Sequence, residues 1–110
     1  MSTTVTGTLI YGIEQGDAVH TEFVMRAATV ADVIAAVEQA GENPTSLRLR
    51  VFKLAEQLER IGEIPGDNIT GEMLLQLPED DIEPLFDAQD EIAKKQKSLR
   101  LGSSHTDNSK

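Results

Sequence analysis

The chain contains no cysteine and no tryptophan, and only 4% of its 110 residues are aromatic. Without cysteine it can form no disulfide, no zinc–thiolate site, no iron–sulfur cluster and no thiolate nucleophile. A small secreted domain usually depends on disulfides, so this absence favours the reducing environment of a cytoplasm. Because aromatic rings are so few, Leu, Ile, Val and Ala have to build most of the core.

Basic residues are also scarce, with 10 Lys and Arg against 19 Asp and Glu and a formal net charge of −9 at pH 7. Nucleic-acid binding and docking on an anionic membrane both need clustered positive charge, so both are disfavoured. No apolar run approaches the roughly 20 residues that span a bilayer, and Met1–Thr6 lacks the features of a signal peptide. The charge balance favours partners that are basic or that expose apolar helices.

Local patterns predict an α+β fold, with an N-terminal antiparallel β-hairpin, a cluster of about four α-helices and a disordered C-terminal tail. Two β-prone runs within residues 4–26 flank a turn that contains Gly16 and Asp17, as in a hairpin. The helical part covers residues 29–99. We therefore expect a single domain over residues 1–101, while the polar and aperiodic residues 102–110 form the tail.

The four helices are predicted from capping residues and from apolar residues at helical spacing. The expected boundaries are Thr29 to Gly41, Thr45 to about Arg60 with Gly62 closing the helix, Thr70 to Leu77, and Asp80 or Asp81 onward. Asp32 completes a capping box with Thr29. The first helix has its apolar positions at Val30, Val33, Ile34 and Val37. The second is the most clearly amphipathic, with Leu47, Val51, Leu54, Leu58 and Ile61.

An acidic cluster at the start of the last helix has three interpretations. It contains Glu79, Asp80, Asp81 and Glu83, together with Asp87, Asp90 and Glu91. The spacing does not match a calcium-binding loop, because no glycine lies in mid-loop and a proline interrupts it. The alternatives are a solvated helix face or a charged rim that guides a basic partner. Neither His20 nor His105 has a nucleophile or a second histidine at a useful spacing, so we predict no metal, no cofactor and no enzymatic activity.

The segment from Asn68 to Phe86 is the most informative part of the chain, because it places apolar side chains next to acidic ones. Helices of this number and length carry more apolar surface than a chain of this size easily hides, which predicts a surface offered to a partner. The residues predicted to bind it are Leu54, Leu58, Ile61, Met73, Leu74, Leu77, Ile82, Leu85 and Phe86. The open edges of the hairpin also allow self-association.

The chain resembles the tail assembly chaperones of Mu-like and related contractile-tailed phages and prophages over roughly residues 5–95. The resemblance is carried mainly by the segment Ile69–Leu85, ITGEMLLQLPEDDIEPL, in which a Leu-rich helix, a short break and an Asp precede a second Leu-bearing helix. It implies a cytoplasmic protein of the bacterial host that binds the tape measure protein and keeps it soluble before the tail tube polymerises round it. The tail tube protein is a second implied partner.

The resemblance also implies that the protein is absent from the finished virion and that a longer form arises by ribosomal frameshifting, for which Lys94-Lys95 offers an A-rich coding run. Two other functions remain open from the sequence. One is an acidic regulatory adaptor, similar to an antitoxin, that neutralises a basic partner. The other is a minor structural component that stays in the tail.

Overall fold

The computed structural model describes residues 3–104, with side chains for residues 3–98. Four strands form one antiparallel sheet in the order β1-β2-β3-β4. The strands are β1 (Thr4–Gln15), β2 (Ala18–Arg26), β3 (Leu58–Ile61) and β4 (Ile64–Pro65). The helices are α1 (Val30–Ala40), α2 (Ser46–Gln57), α3 (Gly71–Leu75) and α4 (Ile82–Ser104). Short 3-10 turns cover Gly66–Asn68 and Glu79–Asp81.

The predicted β-hairpin is confirmed. Strand β1 pairs with β2 from Thr4 opposite Arg26 to Gln15 opposite Ala18, and Gly16 and Asp17 form the two-residue turn. The register is interrupted between Thr8 and Ile13, where a bulge bends the long edge strand. A bent edge strand is a poorer template for pairing with another chain than a flat one.

The three predicted helix starts are confirmed by side-chain caps at Thr29, Thr45 and Thr70. Each threonine hydroxyl accepts a hydrogen bond from the backbone N–H three residues later. Thr29 and Asp32 form the complete capping box. Such caps satisfy N–H groups that the first turn of a helix leaves free.

The predicted end of the second helix is wrong. Helix α2 stops at Gln57, and the next four residues form β3 beside β2, with Phe23 opposite Ile61 and Met25 opposite Leu58. The apolar spacing of Leu58 and Ile61 continues the helical pattern, so it gave no sign of the change. Pairing with the free edge of β2 satisfies backbone hydrogen bonds of β3 and buries the side chains of Leu58 and Ile61. This tertiary gain overrides the local helix propensity.

The predicted start of the tail at residue 102 is wrong, because α4 includes residues 102–104. The rest of the segment predicted as a tail, residues 105–110, lies outside the described residues.

The main core lies between the sheet and helices α2 and α4. Its fully enclosed side chains include Phe23, Met25, Leu54, Ile61, Ile64, Leu85 and Ile92. A smaller cluster joins α1 to α2 through Ala36, Ala40 and Phe52. Helix α1 therefore contacts α2 mainly through small side chains, which permits close helix packing. Its larger aliphatic side chains are exposed.

The lack of a side chain at Gly71 allows α3 to pack closely against α2. A Cβ atom at this position would lie 2.4 Å from Cδ2 of the buried Phe52 ring. We expect Gly71→Ala to lower the free energy of unfolding by about 2 kcal/mol through overpacking, although alanine would favour the helix by roughly 1 kcal/mol on propensity alone. Urea unfolding measures the change. Glu72→Ala, at an exposed neighbouring position, should change stability by no more than about 0.5 kcal/mol.

A buried ion pair fixes the start of α1 to the sheet and to α2. Arg26 donates to both carboxylate oxygens of Asp32, at 2.6 and 2.9 Å, and also to the carbonyl oxygen of Glu56 at 2.7 Å. Asp32 in turn accepts from the backbone N–H of Thr29 at 2.8 Å. The side chain of Asp32 is only 7% exposed and that of Arg26 is 31% exposed, so the carboxylate is shielded from solvent while the guanidinium is half-buried.

This pair predicts an acid-sensitive contribution to stability. Hydrogen bonding from Arg26 holds the pKa of the Asp32 carboxyl below its ordinary value of 3.8, although burial opposes the shift. The pKa of Asp32 is lower in the folded than in the unfolded state. The stability contributed by its ionised carboxylate is therefore fully present above pH 3.8 and is lost as the pH falls through the folded-state pKa. Asp32→Asn should lower the free energy of unfolding by about 2 kcal/mol at neutral pH. Parallel urea titrations should show this difference shrinking in acid; a difference independent of pH would contradict the assignment.

Candidate partner-binding surface

The nine residues predicted to bind a partner fall into two groups. Five are buried in the core, namely Leu54, Leu58, Ile61, Leu74 and Leu85. Four are half-buried and pack against its edge, namely Met73, Leu77, Ile82 and Phe86. The first group builds the fold, and in this conformation those side chains are not offered to a partner. Of the nine residues, only the half-buried group therefore remains available to a partner, together with the exposed apolar residues next to it.

Three of the nine residues line one apolar groove, which lies between α2 and the segment from α3 to the start of α4. We call it the α3 groove, and its volume is about 440 Å³. Its apolar lining is Leu47, Val51, Leu74, Leu75, Leu77 and Ile82. Leu47 is 61% exposed and Leu75 is 41% exposed, whereas Leu74 is buried beneath them. Exposed aliphatic side chains above a buried apolar floor are typical of sites that accept an amphipathic helix.

The groove follows from short-range signals in the sequence. The Thr70 hydroxyl caps α3 by accepting from the backbone N–H of Met73 at 3.1 Å. Helix α3 is only five residues long, and Pro78 follows shortly after its end. The proline directs the chain away, because the residue before a proline is disfavoured in the α conformation. The chain then turns into α4, and this change of direction leaves the groove beside α2.

Charges of both signs border the α3 groove. Glu79 lines it, and the exposed carboxylates of Asp80 and Glu83 lie on the same segment. Arg48 lines the groove from α2, with its guanidinium 4.7 Å from the centre of the Phe52 ring. A basic group flanking an apolar helix would be attracted to the acidic part of this border.

Asp81 does not belong to this acidic rim, because it is completely buried. Its carboxylate accepts three backbone hydrogen bonds from the bulge of β1: from Ile10 at 2.6 Å, Tyr11 at 2.9 Å and Gly12 at 3.0 Å. Gly12 has φ +85, and a Cβ there would also lie 2.6 Å from the carbonyl oxygen of His20. Asp81 thus ties the start of α4, and with it one wall of the α3 groove, to the edge of the sheet.

Among the described side chains, no group of three or more His, Asp or Glu residues is arranged to hold a metal ion. Within residues 3–104, no helix combines the length and apolar character needed to cross a membrane.

A second apolar surface lies on α1, and the sequence pattern alone did not reveal it. Val30, Val33, Ile34 and Val37 fall at helical spacing as expected, but they are exposed by 76, 44, 53 and 50%. The neighbouring face of α1 is the buried one, with Asp32, Ala36 and Ala40, and Val33 and Val37 also line a groove between α1, α2 and α4. A helix with alanines on one face and larger aliphatic residues on the other is the signal that could have identified this surface, which we call the α1 stripe.

Comparison with known proteins gives no match, either to a protein-family model, to a curated protein or to a solved structure. The family resemblance drawn from the sequence therefore stays a prediction.

Proposed function

We propose that the protein is a tail assembly chaperone of a contractile-tailed phage or prophage. In this proposal it binds an apolar helix of the tape measure protein in the α3 groove and keeps that protein soluble until the tail tube polymerises round it. One observation carries the proposal: the segment on which the family resemblance depends, Ile69–Leu85, is also the segment that forms one wall of the groove.

The physical properties of the groove support this role. A tape measure protein is long and helical, and it exposes apolar stripes until the tube covers them. A groove lined by Leu47, Leu75, Leu77 and Ile82 gives such a stripe an apolar surface to bury. The net charge of −9 would keep the complex in solution, because charged surfaces resist association.

Co-expression with the tape measure protein of the same genome tests the proposal. We expect the soluble yield of the tape measure protein to rise and the two proteins to purify together. An unrelated acidic protein of similar size is the control for net charge and should give neither effect. An unchanged soluble yield together with no co-purification would contradict the proposed function.

The proposal also places the protein in the host cytoplasm and outside the finished particle. Mass spectrometry of purified virions should therefore detect the tail tube and tape measure proteins but not this chain. Its recovery in virions at the level of a tail protein would favour the minor structural component instead.

A further inference from the structure

The groove between α1, α2 and α4 shares no lining residue with the α3 groove. We call it the α1–α4 groove. Its volume is about 490 Å³, within the range of about 300–1,000 Å³ that is typical of small-molecule sites. Its walls are mainly aliphatic and include Val33, Val37, Leu49, Ile92 and Ala93. A groove of this kind suits a short hydrocarbon chain, so its few polar groups determine which head group such a ligand carries.

Two buried glutamine side chains line this groove. Gln57 donates to the carbonyl oxygen of Arg26 at 3.0 Å, and its own amide oxygen accepts from Gln89 at 2.8 Å. The amide oxygen of Gln89 accepts in turn from Nε of Arg50. Because a carbonyl can only accept and a guanidinium can only donate, the two ends of this chain of hydrogen bonds fix the orientation of both amides.

Each of these amide nitrogens carries a second hydrogen. Within the part of the chain that the structure describes, the second N–H of Gln57 and the second N–H of Gln89 meet no acceptor. Gln57 is 1% exposed and Gln89 is 6% exposed, so solvent has little access to either group. A buried donor without an acceptor is costly. The two amides therefore favour a ligand that brings oxygen acceptors into the α1–α4 groove.

The charged residues of the groove favour an anionic acceptor over a neutral one. Arg50 is paired with Asp90 at 2.6 Å and lies over the Phe86 ring, so the charges of this ion pair compensate each other. Lys53 lines the groove as well and is half-buried, and it takes part in no ion pair among the described side chains. One uncompensated cation beside two spare amide donors matches a carboxylate, whose oxygens only accept hydrogen bonds.

We propose that the α1–α4 groove binds an aliphatic carboxylate of medium chain length. Its carboxylate accepts hydrogen bonds from Lys53 and from the second N–H groups of Gln57 and Gln89, while its hydrocarbon chain lies against the aliphatic walls, between Val33 and Ile92. This site is independent of the proposed chaperone function, because the two grooves have no residue in common.

Titration of the full-length protein with octanoate, followed by NMR of the amide groups, tests the site. We expect saturable shifts of the side-chain amide signals of Gln57 and Gln89. Octan-1-ol has the same chain without the carboxylate and should bind at least about tenfold more weakly, because it lacks the charge-assisted hydrogen bonds. Lengthening the acid from hexanoate to octanoate should lower the Kd by about two- to fourfold per methylene. The absence of saturable shifts at these amides, or equal affinities for octanoate and octan-1-ol, would overturn the proposal.

Lys53→Met removes the ammonium group but keeps an aliphatic side chain at the groove. We expect this variant to raise the octanoate Kd about tenfold and to leave the octan-1-ol Kd within a factor of about two. Lys95→Met is the matched control, because Lys95 is exposed on α4 and does not line the groove. An equal effect of the two variants on octanoate binding would indicate general charge attraction and would contradict the site.

Ala93→Phe tests where the hydrocarbon chain lies. Ala93 is exposed and lines the groove, so an aromatic ring at this position should fill the groove and abolish binding of both octanoate and octan-1-ol. Ala31→Phe is the control, because Ala31 is also exposed but lies outside the groove lining, and it should bind both ligands like the wild type. Circular dichroism checks that both variants are folded. Wild-type affinity for octanoate in Ala93→Phe would place the ligand elsewhere and would overturn the proposal.

Discussion

Replacing Asp81 with alanine is expected to lower the free energy of unfolding by about 3–5 kcal/mol, a large part of the roughly 5–15 kcal/mol that stabilises a typical domain. The carboxylate is completely buried and accepts the backbone N–H groups of Ile10, Tyr11 and Gly12. Removing it leaves three donors in the β1 bulge without their acceptor. The start of α4 also loses its attachment to the sheet. Urea unfolding followed by circular dichroism measures the change.

Two matched variants isolate the role of this carboxylate. Asp80→Ala removes the neighbouring acid, which is exposed, and should change stability by only about 0.5 kcal/mol. Asp81→Asn keeps one oxygen but points an amide N–H₂ group at donors, so its effect should lie between those of wild type and Asp81→Ala. Equal stability of the Asp80→Ala and Asp81→Ala variants would contradict the structural role assigned to Asp81.

The combined change Leu47→Asp and Leu75→Asp is expected to weaken binding of the tape measure protein about a hundredfold or more. Both leucines are exposed in the free protein and line the α3 groove. In the complex, each new carboxylate would be buried against apolar side chains of the groove and of the bound helix, which is strongly unfavourable. The free protein should lose little stability, because both positions are exposed. Isothermal titration with an apolar helical peptide of the tape measure protein measures the affinity.

Gln76→Asp provides the control for this double variant. It adds one negative charge at an exposed position next to Leu75 without removing any apolar side chain from the groove. We expect it to bind within a factor of about three of the wild type, because surface charges contribute little to affinity. Loss of binding in Gln76→Asp as large as in the double variant would indicate that net charge, and not the apolar groove, controls the interaction.

The parts of the fold that local chemistry determines were predicted correctly. The hairpin follows from two β-prone runs and a glycine-containing turn, and the helix starts follow from threonine caps at Thr29, Thr45 and Thr70. Each of these signals depends on residues within a few positions of one another. Strand β3 was not predicted, because Leu58 and Ile61 leave the helix only to pair with β2, and that strand lies more than thirty residues earlier.

The candidate site was predicted in part. Leu74, Leu77 and Ile82 do line the α3 groove, because they belong to the segment Asn68–Phe86, in which apolar side chains lie next to acidic ones. Leu47 was predicted only as part of the apolar face of the second helix, and periodicity does not distinguish the buried centre of such a face from its exposed end. The role of Asp81 could not be predicted, since its three donors are about seventy residues away.

The orientation of α1 was not predictable from its apolar period. That period correctly indicates a helix, but the usual inference that the larger side chains face the core does not hold for Val30, Ile34 and Val37. The Arg26–Asp32 pair fixes the rotation of the helix by drawing the Asp32 face inward, and Ala36 and Ala40 follow on the same face. One buried ion pair with two alanines thus outweighs the burial that the aliphatic face would have gained.

Site-specific photo-crosslinking is the most direct test of the claim that the α3 groove shelters a foreign helix. A photoreactive phenylalanine analogue replaces Leu75 in one strain and Glu63, exposed beyond the groove lining, in another, and each is co-expressed with the tape measure protein. We predict a covalent adduct with the tape measure protein from position 75 and little from position 63. Equal labelling from both positions, or no adduct from position 75 while the tape measure protein is present, would contradict the account.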